Sequence, residues 1–463
     1  MGTEAEVDNR PGTAEKVFTG LVLLLSTGAF FNLSTDTGPN IDPGAGMLVM
    51  QLAWATVYLL TVGLLLHRCR RVLQMLRKEW LLVLLVGLAV VSVFWSDAPA
   101  VTFRRSLALV GTWVFAAYFA ARYPLKEQLK MLGWTCGIAV AFSFIFGFLK
   151  LGTPVEQLEG AWFGIFVHKN VLGRMMVLST LVFLTLAMGV SKYRRVAWCG
   201  MGLSVLLIFL STSKTALIVF LGLLGLFLTS RILRRNSGRG IAALVLWGVA
   251  TTAVVVWGIT HLEILAEPLG KDITLTGRLV IWFLALVMAL QKPWLGYGYN
   301  AFWLGAEGPS LKIWFALRWP TPHAHNGFLD LWLELGVLGV ALFLVGFAVY
   351  TGRAVRLLQR THEPEAIWPL LFLGFMLLSN LTESSILRAN TIFWILYVAV
   401  AYRVSSEYRI AAYRLPITTP KKRASWFTNR QTNTIFGPAA AARMKGKGIA
   451  TSHQGDYPQQ CES

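Results

Sequence analysis

Leu279-Val280-Ile281-Trp282-Phe283-Leu284-Ala285-Leu286-Val287-Met288-Ala289-Leu290 is the run whose reading decides how this chain is threaded. As a helix, twelve residues reach only about 18 Å, against a hydrocarbon layer of roughly 30 Å. The run is apolar enough for a membrane but too short to cross one. It is predicted to be a helix lying in the interface, or dipping part-way into the bilayer, within one long extracytoplasmic segment, 261–325. Counted as a span, it would turn the loop bearing Arg353, Arg356 and Arg360 outward and reverse everything after it.

Outward from that run the chain keeps the same character. Of 463 residues, 55% are hydrophobic and 14% charged, whereas soluble domains carry roughly a quarter charged residues, so the solvent for this chain is lipid. Membrane-length apolar runs predict spans near 17–33, 45–66, 80–95, 105–121, 131–150, 170–190, 194–211, 215–230, 241–260, 326–350, 366–381 and 387–402. The first follows the acidic Glu4, Glu6, Asp8 and Glu15 without a small-residue cleavage site, so it is expected to be retained. The fold class is therefore all-α and polytopic, with about twelve transmembrane helices.

Lys and Arg assign the sides. Loops 67–79, 122–130, 191–195, 231–240 and 352–365 carry 5, 3, 3, 4 and 3 of them, while 34–44, 96–105, 151–169, 211–214 and 382–390 carry 0, 2, 1, 1 and 1. The basic set is expected in the cytoplasm, with both termini, and the other set outside. The formal charge of +19 is thus a topology signal and not a nucleic-acid footprint. Cys69, Cys136, Cys199 and Cys461 fall in cytoplasmic segments or inside helices, so neither disulfides nor a zinc site are expected. Four regions follow: helices within 1–160, a core over 161–350, two last spans over 351–403, and a basic tail over 404–463 expected to be disordered and to rest on anionic lipid.

Ionisable groups away from the cytoplasmic loops are functional candidates, because burying them in a membrane is costly. Lys214 lies in Ser211-Thr212-Ser213-Lys214-Thr215, where an ammonium, hydroxyls and helix-start amides could hold a phosphate, or where a lysine simply snorkels beside capping serines. Arg278 opens the short apolar helix after Thr274-Leu275-Thr276-Gly277. Its planar fork suits a diphosphate, with Thr276 as cap, or anchors the helix at lipid headgroups. His323 and His325, in Pro322-His323-Ala324-His325-Asn326-Gly327, stand where the long loop returns to the membrane. A histidine there can take a proton from a hydroxyl nucleophile. No carboxylate or third histidine stands at ligand spacing, so a metal is not expected.

His168, Lys169 and Arg174 make another polar island, and Leu381-Thr382-Glu383-Ser384-Ser385-Ile386-Leu387-Arg388 supplies a carboxylate and a guanidinium that can pair with each other. The long loop is also rich in aromatics, with Trp294, Trp303, Trp314, Trp319, Tyr297 and Tyr299, which suit sugar rings and equally suit a membrane-interface belt.

Four of these islands, His168-Lys169-Asn170, Ser211-Thr212-Ser213-Lys214-Thr215, Thr276-Gly277-Arg278 with Gly296-Tyr297-Gly298, and His325-Asn326 with Glu334-Leu335-Gly336, resemble the O-antigen ligase and polymerase superfamily of bacterial cell envelopes, and more closely its ExoQ-type exopolysaccharide branch. The likeness covers about residues 160–345. It implies an inner-membrane glycosyltransferase that needs no cofactor and no metal. Such an enzyme passes a glycan with inversion from an undecaprenyl-diphosphate carrier to an acceptor hydroxyl on the periplasmic face.

On that resemblance His325 is the catalytic residue, and Lys214, Arg278, Arg388 and Lys169 are the diphosphate-binding residues. His323, Asn326 and His168 would orient the acceptor. Donor glycan, acceptor glycan and bilayer are the implied partners, with a chain-length regulator or export complex left open and nucleic acid excluded. Many relatives carry Arg where this chain has Lys214, and lysine offers no bidentate fork. Glu334, nine residues beyond His325, falls about 13 Å away along one helix and is not expected to partner it. A solute transporter is the rival from another class, though no paired halves or midplane charges are read here; an O-antigen ligase acting on lipid A-core is the rival within it.

Overall fold

A computed structural model describes residues 11–29, 45–66, 79–151, 160–189, 191–234, 238–260 and 276–414. All of them belong to the compact unit Met1–Leu415. Of the basic tail read over 404–463, residues 404–414 continue a helix and do not form the disordered segment expected, and the remainder lies outside the described residues, as do Cys69, Cys461, Thr274 and the Thr276 side chain proposed as a cap.

Among the described residues the regular structure is entirely helical. α1 is Thr13–Ser26, α2 Ala45–Leu66, α3 Trp80–Val91, α4 Pro99–Arg122, α5 Leu125–Phe148, α6 Lys169–Gly189 and α7 Arg194–Leu210. α8 is Lys214–Leu233, α9 Gly238–Thr260, α10 Thr276–Gln291, α11 Leu311–Leu317, α12 Gly327–Arg360, α13 Trp368–Asn380 and α14 Ile392–Arg414. Each of the twelve predicted spans overlaps one of these helices among the described residues, and the two helices left over, α10 and α11, both lie within the long loop. By length and composition alone, Leu48–Leu66, α5, α6, α8 and α12 are each apolar enough to cross a membrane.

How deeply each helix is buried follows from how its apolar residues are spread. In α2 only 17% of the span window is buried, so its leucines and valines face outward, as lipid allows. In α6 the figure is 78%: this helix stands inside the bundle against α5, α7, α8 and α13. α13 is enclosed along nearly its whole length, and so is α14 from Ile392 to Val404. A helix apolar on every side belongs inside a protein or a membrane, and these two have both.

Both ends of α10 touch turns that the charge pattern puts on one side. At its start, Arg278 donates to the Thr382 carbonyl in the α13–α14 turn; just past its end, Lys292 pairs with Asp97 in the α3–α4 turn. Both ends of the helix thus meet turns that the charge pattern assigns to the same side. One face, with Ile281, Ala285, Met288 and Ala289, packs on Tyr297, Phe302, Ile313, Ala324 and Leu333, while Phe283, Val287 and Leu290 stay exposed. The basic loops likewise meet one another: Arg353 pairs with Glu79 at 2.7 Å, and Arg234 reaches the carbonyls of His362 and Glu363.

α12 is broken at Gly336, whose φ of 67° and ψ of −171° interrupt the helix. The loop 293–298 lies against the break and takes over its polar groups: Tyr297 N–H donates to the Leu333 carbonyl at 2.8 Å, and Gly298 N–H to that of Glu334 at 3.0 Å. Val337 N–H donates to the Pro293 carbonyl at 2.8 Å, and Leu338 N–H to that of Trp294 at 3.4 Å. A broken helix in a membrane protein persists only when its freed backbone groups find partners in this way. No such break is predicted from the sequence. It explains why Glu334-Leu335-Gly336 and Gly296-Tyr297-Gly298 occur in one chain: they are the two halves of a docking joint.

Candidate active site

Five chain segments converge at the side where α10 lies: the start of α6, the α7–α8 turn, the start of α10, the end of the long loop, and the α13–α14 turn. Glu383 is their hub. Its Oε1 accepts from Arg278 Nη2 at 3.3 Å and from Asn170 Nδ2 at 3.5 Å, while Oε2 lies 3.5 Å from His325 Nδ1. That last distance is long for a hydrogen bond, and the buried Nδ1 has none in the resting geometry. Arg278 is itself buried and spends Nη1 on the Thr382 carbonyl at 3.1 Å. Burial pushes the Glu383 carboxyl up, but His325 and the guanidiniums of Arg174 and Arg278 outweigh it and hold the group at about 2.

Asn170 extends the hub. Its Oδ1 accepts from Ser213 Oγ at 2.9 Å, and Ser213 in turn caps α8 by accepting from Ala216 N–H. Gly173 keeps α6 close enough for this, since a Cβ there would meet that of Ala216 at 2.7 Å. His168 Nδ1 accepts from the Asn170 N–H at 3.2 Å, and burial lowers its affinity for a proton. Lys214 is exposed beside Ser213, at the rim of this group, and Lys169 is half-buried.

The two loop histidines stack edge to face with centroids 4.1 Å apart. His325 N–H donates to His323 Nδ1 at 3.1 Å, so a neutral His323 carries its proton on Nε2. Burial, aided by the neighbouring His325, brings the His323 imidazole down to about 4. It therefore stays uncharged over the physiological range. His325 itself holds a left-handed backbone, φ 52°. Asn326 spends its side-chain oxygen on the N–H groups of Phe328 and Leu329, capping α12 and fixing where the histidine loop ends.

Arg388 does not pair with Glu383, contrary to the pairing offered by their closeness in sequence. It points the other way, to Asp330 at 3.2 Å, Glu334 at 3.1 Å and Asn300 Oδ1 at 2.9 Å. Asn300 is shared with Arg105 at 3.0 Å. The expectation that Glu334 is no partner of His325 holds in this arrangement. Asp330 matters most to the site, because it accepts from the Ala324 N–H at 3.0 Å and from Trp303 Nε1 at 2.8 Å. Ala324 is the residue between the two histidines, so this buried carboxylate sets their loop. Asp330→Asn should weaken the Arg388 pair and loosen the loop. The expected result is a rate lowered by about tenfold or more at little change in inserted protein, checked by transfer kinetics on membranes with matched protein levels.

The fold also supplies the carboxylate that chain spacing does not. Ligand atoms of His323, His325 and Glu383 all lie within 4.8 Å of one another, a set that could hold a metal ion. Against that use, Glu383 Oε1 already serves Arg278, His323 Nδ1 already accepts a backbone N–H, and Arg174 and Arg278 add positive charge beside any cation.

Of the loop aromatics, several are spent on structure. Trp314 donates to the Thr321 carbonyl, Tyr299 to that of Leu387, and Tyr297 to that of Met288. Trp294 and Trp319 remain exposed and available to a ligand or a membrane interface.

The family model described as O-antigen ligase matches residues 199–344. Over that stretch the chain is similar to the O-antigen ligase family. Its resemblance to the O-antigen ligase family and the ExoQ type is borne out by similarity to the exopolysaccharide production protein ExoQ of Rhizobium meliloti, 26% identical over 295 residues, which cover 60% of this chain and 66% of ExoQ. It is also 28% identical over 148 residues to a Rickettsia conorii protein named "Putative polysaccharide ligase", covering 31% of this chain and 36% of that one. The matches thus span just under two thirds of ExoQ and about a third of the Rickettsia protein. The matched stretch 199–344 holds Ser213, Arg278, His325, Asp330 and Glu334. Asn170, Arg174, Glu383 and Arg388 complete the site from outside it.

Proposed function

We propose that this chain is a membrane glycosyltransferase that polymerises oligosaccharide units carried on undecaprenyl diphosphate, at the outer face of the bacterial inner membrane, with both termini in the cytoplasm. The observation that carries the proposal is the convergence of His325, Glu383 and Arg278 at the side of the bundle where a carrier headgroup would sit. Similarity to a protein named for exopolysaccharide production favours polymerase over ligase.

In the proposed reaction the acceptor hydroxyl gives its proton to His325 Nε2, and the imidazolium formed is stabilised by the Glu383 carboxylate on its other nitrogen. The acceptor oxygen bonds to the anomeric carbon from the face opposite the leaving group. The bond from that carbon to the phosphate oxygen breaks, and the diphosphate departs with its electron pair. Arg278, with Lys214 and Lys169 at the rim, stabilises the charge that develops there. Arg388 acts through Asp330, by setting the histidine loop, and His323 and His168 remain neutral hydrogen-bonding walls for the acceptor.

The test is conversion of carrier-linked repeat units by the purified full-length chain in nanodiscs, and the same units in cells lacking the protein. Polymer should form in the first case and single units on the carrier should accumulate in the second. Unchanged glycans with loss of a solute's uptake would instead support a transporter. Because the reaction as proposed draws on side chains alone, excess EDTA is expected to leave the rate unchanged within about twofold. A rate abolished by chelation and restored by one divalent ion would assign His323, His325 and Glu383 to a metal.

A further inference from the structure

Arg174 is a charged group that the proposed reaction does not use. It lies five residues into α6 from Lys169, about 7 Å further along the helix, where its guanidinium carbon sits 4.4 Å from the centre of the Phe393 ring. Nε and Nη1 are sealed from solvent and have no hydrogen-bond partner. The side chain lines a narrow cleft with Asn170, Ser213, Thr215, Thr382 and Glu383. Glu383 feels its charge, but the hydrogen bonds of that carboxylate go to Arg278 and Asn170.

The contrast with Arg278 is informative. Arg278 has Nη1 on a carbonyl and Nη2 on Glu383, so those donors are already engaged at rest. A guanidinium kept from water with unmade hydrogen bonds is costly, and stacking on one aromatic ring offsets only part of that cost. Both arginines act on the one carboxylate of Glu383, and Arg174 lines one cleft with it.

We propose that Arg174 is a further diphosphate-binding residue, whose unused donors take phosphate oxygens of the carrier as Glu383 Oε1 yields its contacts and Oε2 keeps to His325. This rests on the transferase reading and adds to it how the leaving group is held.

The test uses full-length protein in phosphatidylcholine nanodiscs, with undecaprenyl diphosphate as the probe. Arg174→Gln is expected to weaken binding about tenfold or more, while the melting temperature without ligand stays the same or rises, because buried donors without hydrogen-bond partners have been removed. Arg174→Met, which fills similar space without polar atoms, should behave alike. Inorganic pyrophosphate should compete on the wild type and fail to compete on the variant, and phosphatidylglycerol nanodiscs without the carrier should leave the two proteins indistinguishable. Wild-type affinity in Arg174→Gln, equal competition on both proteins, or stabilisation of the wild type alone by phosphatidylglycerol would each overturn the inference. So would failure of both variants to fold, which marks a structural arginine. Should the wild type still convert carrier-linked units in any of these cases, the transferase reading stands without Arg174. A wild type that neither binds the carrier nor converts the units removes both.

Discussion

Replacing His325 is expected to lower glycan transfer by about a hundredfold to ten-thousandfold, the range seen when a general base is lost. The imidazole has Glu383 on one nitrogen at 3.5 Å and is partly exposed. The choice of replacement matters because His325 has φ 52°. Alanine would add a backbone cost of about 1 kcal/mol or more in that conformation, whereas asparagine adopts it readily. His325→Asn should give folded, inserted protein with the rate lost, measured as single repeat units left on the carrier. A variant that kept more than about a tenth of the wild-type rate would remove the histidine from the chemistry. Combining it with Glu383→Gln should cost little beyond the histidine change alone, since the two act as one unit.

Gly336→Ala is expected to be the most destabilising single-methyl change in the described fold. A Cβ at this position would lie 2.1 Å from the carbonyl carbon and oxygen of Trp294 and 2.4 Å from Leu295 N. All three are backbone atoms, so no side chain can turn aside to relieve the clash. The backbone there, φ 67° and ψ −171°, belongs to a region essentially reserved for glycine, at about 1–3 kcal/mol for any other residue. Pushing the loop away also forfeits its four hydrogen bonds to α12, worth about 1 kcal/mol each. The expected loss is about 4 kcal/mol or more, read as a collapse in folded protein on detergent extraction and a lower melting temperature. Gly352→Ala, on the same helix with nothing within 4 Å of the added carbon, should be neutral or stabilising. Equal behaviour of the two variants would mean that the joint at Gly336 does not hold the loop.

Much of the architecture was legible because it depends on local quantities. Span length and apolar runs are read one stretch at a time, and they located twelve of the helices and marked the run of α10 as too short to span. The depth of each helix was not legible in the same way: α13 and α14 read as short spans, yet they stand at the centre of the bundle. Lipid and protein interior both select apolar residues, so composition does not tell them apart.

The site divides along the same line. His325, Arg278, Lys214 and Arg388 stood out because ionisable groups are scarce in such a chain. Glu383 was noticed only as a neighbour of Arg388, and its role with Arg278 and His325 depends on residues 105 and 58 positions away along the chain. Asp330 had a signal in being a carboxylate one turn inside an apolar helix, and Arg174 in being a cation within a membrane-length run.

By itself, then, the sequence determined that the chain lives in lipid, where its apolar helices run, and which polar side chains were too expensive to be there by accident. Only the tertiary structure decided that Glu383 and not Glu334 stands beside His325, that Arg388 serves the loop, and that Arg174 has unmade hydrogen bonds. The reason is one of range. Hydropathy and charge act along a single segment, whereas hydrogen bonds and ion pairs join groups only within about 4 Å, wherever the packed helices bring them together.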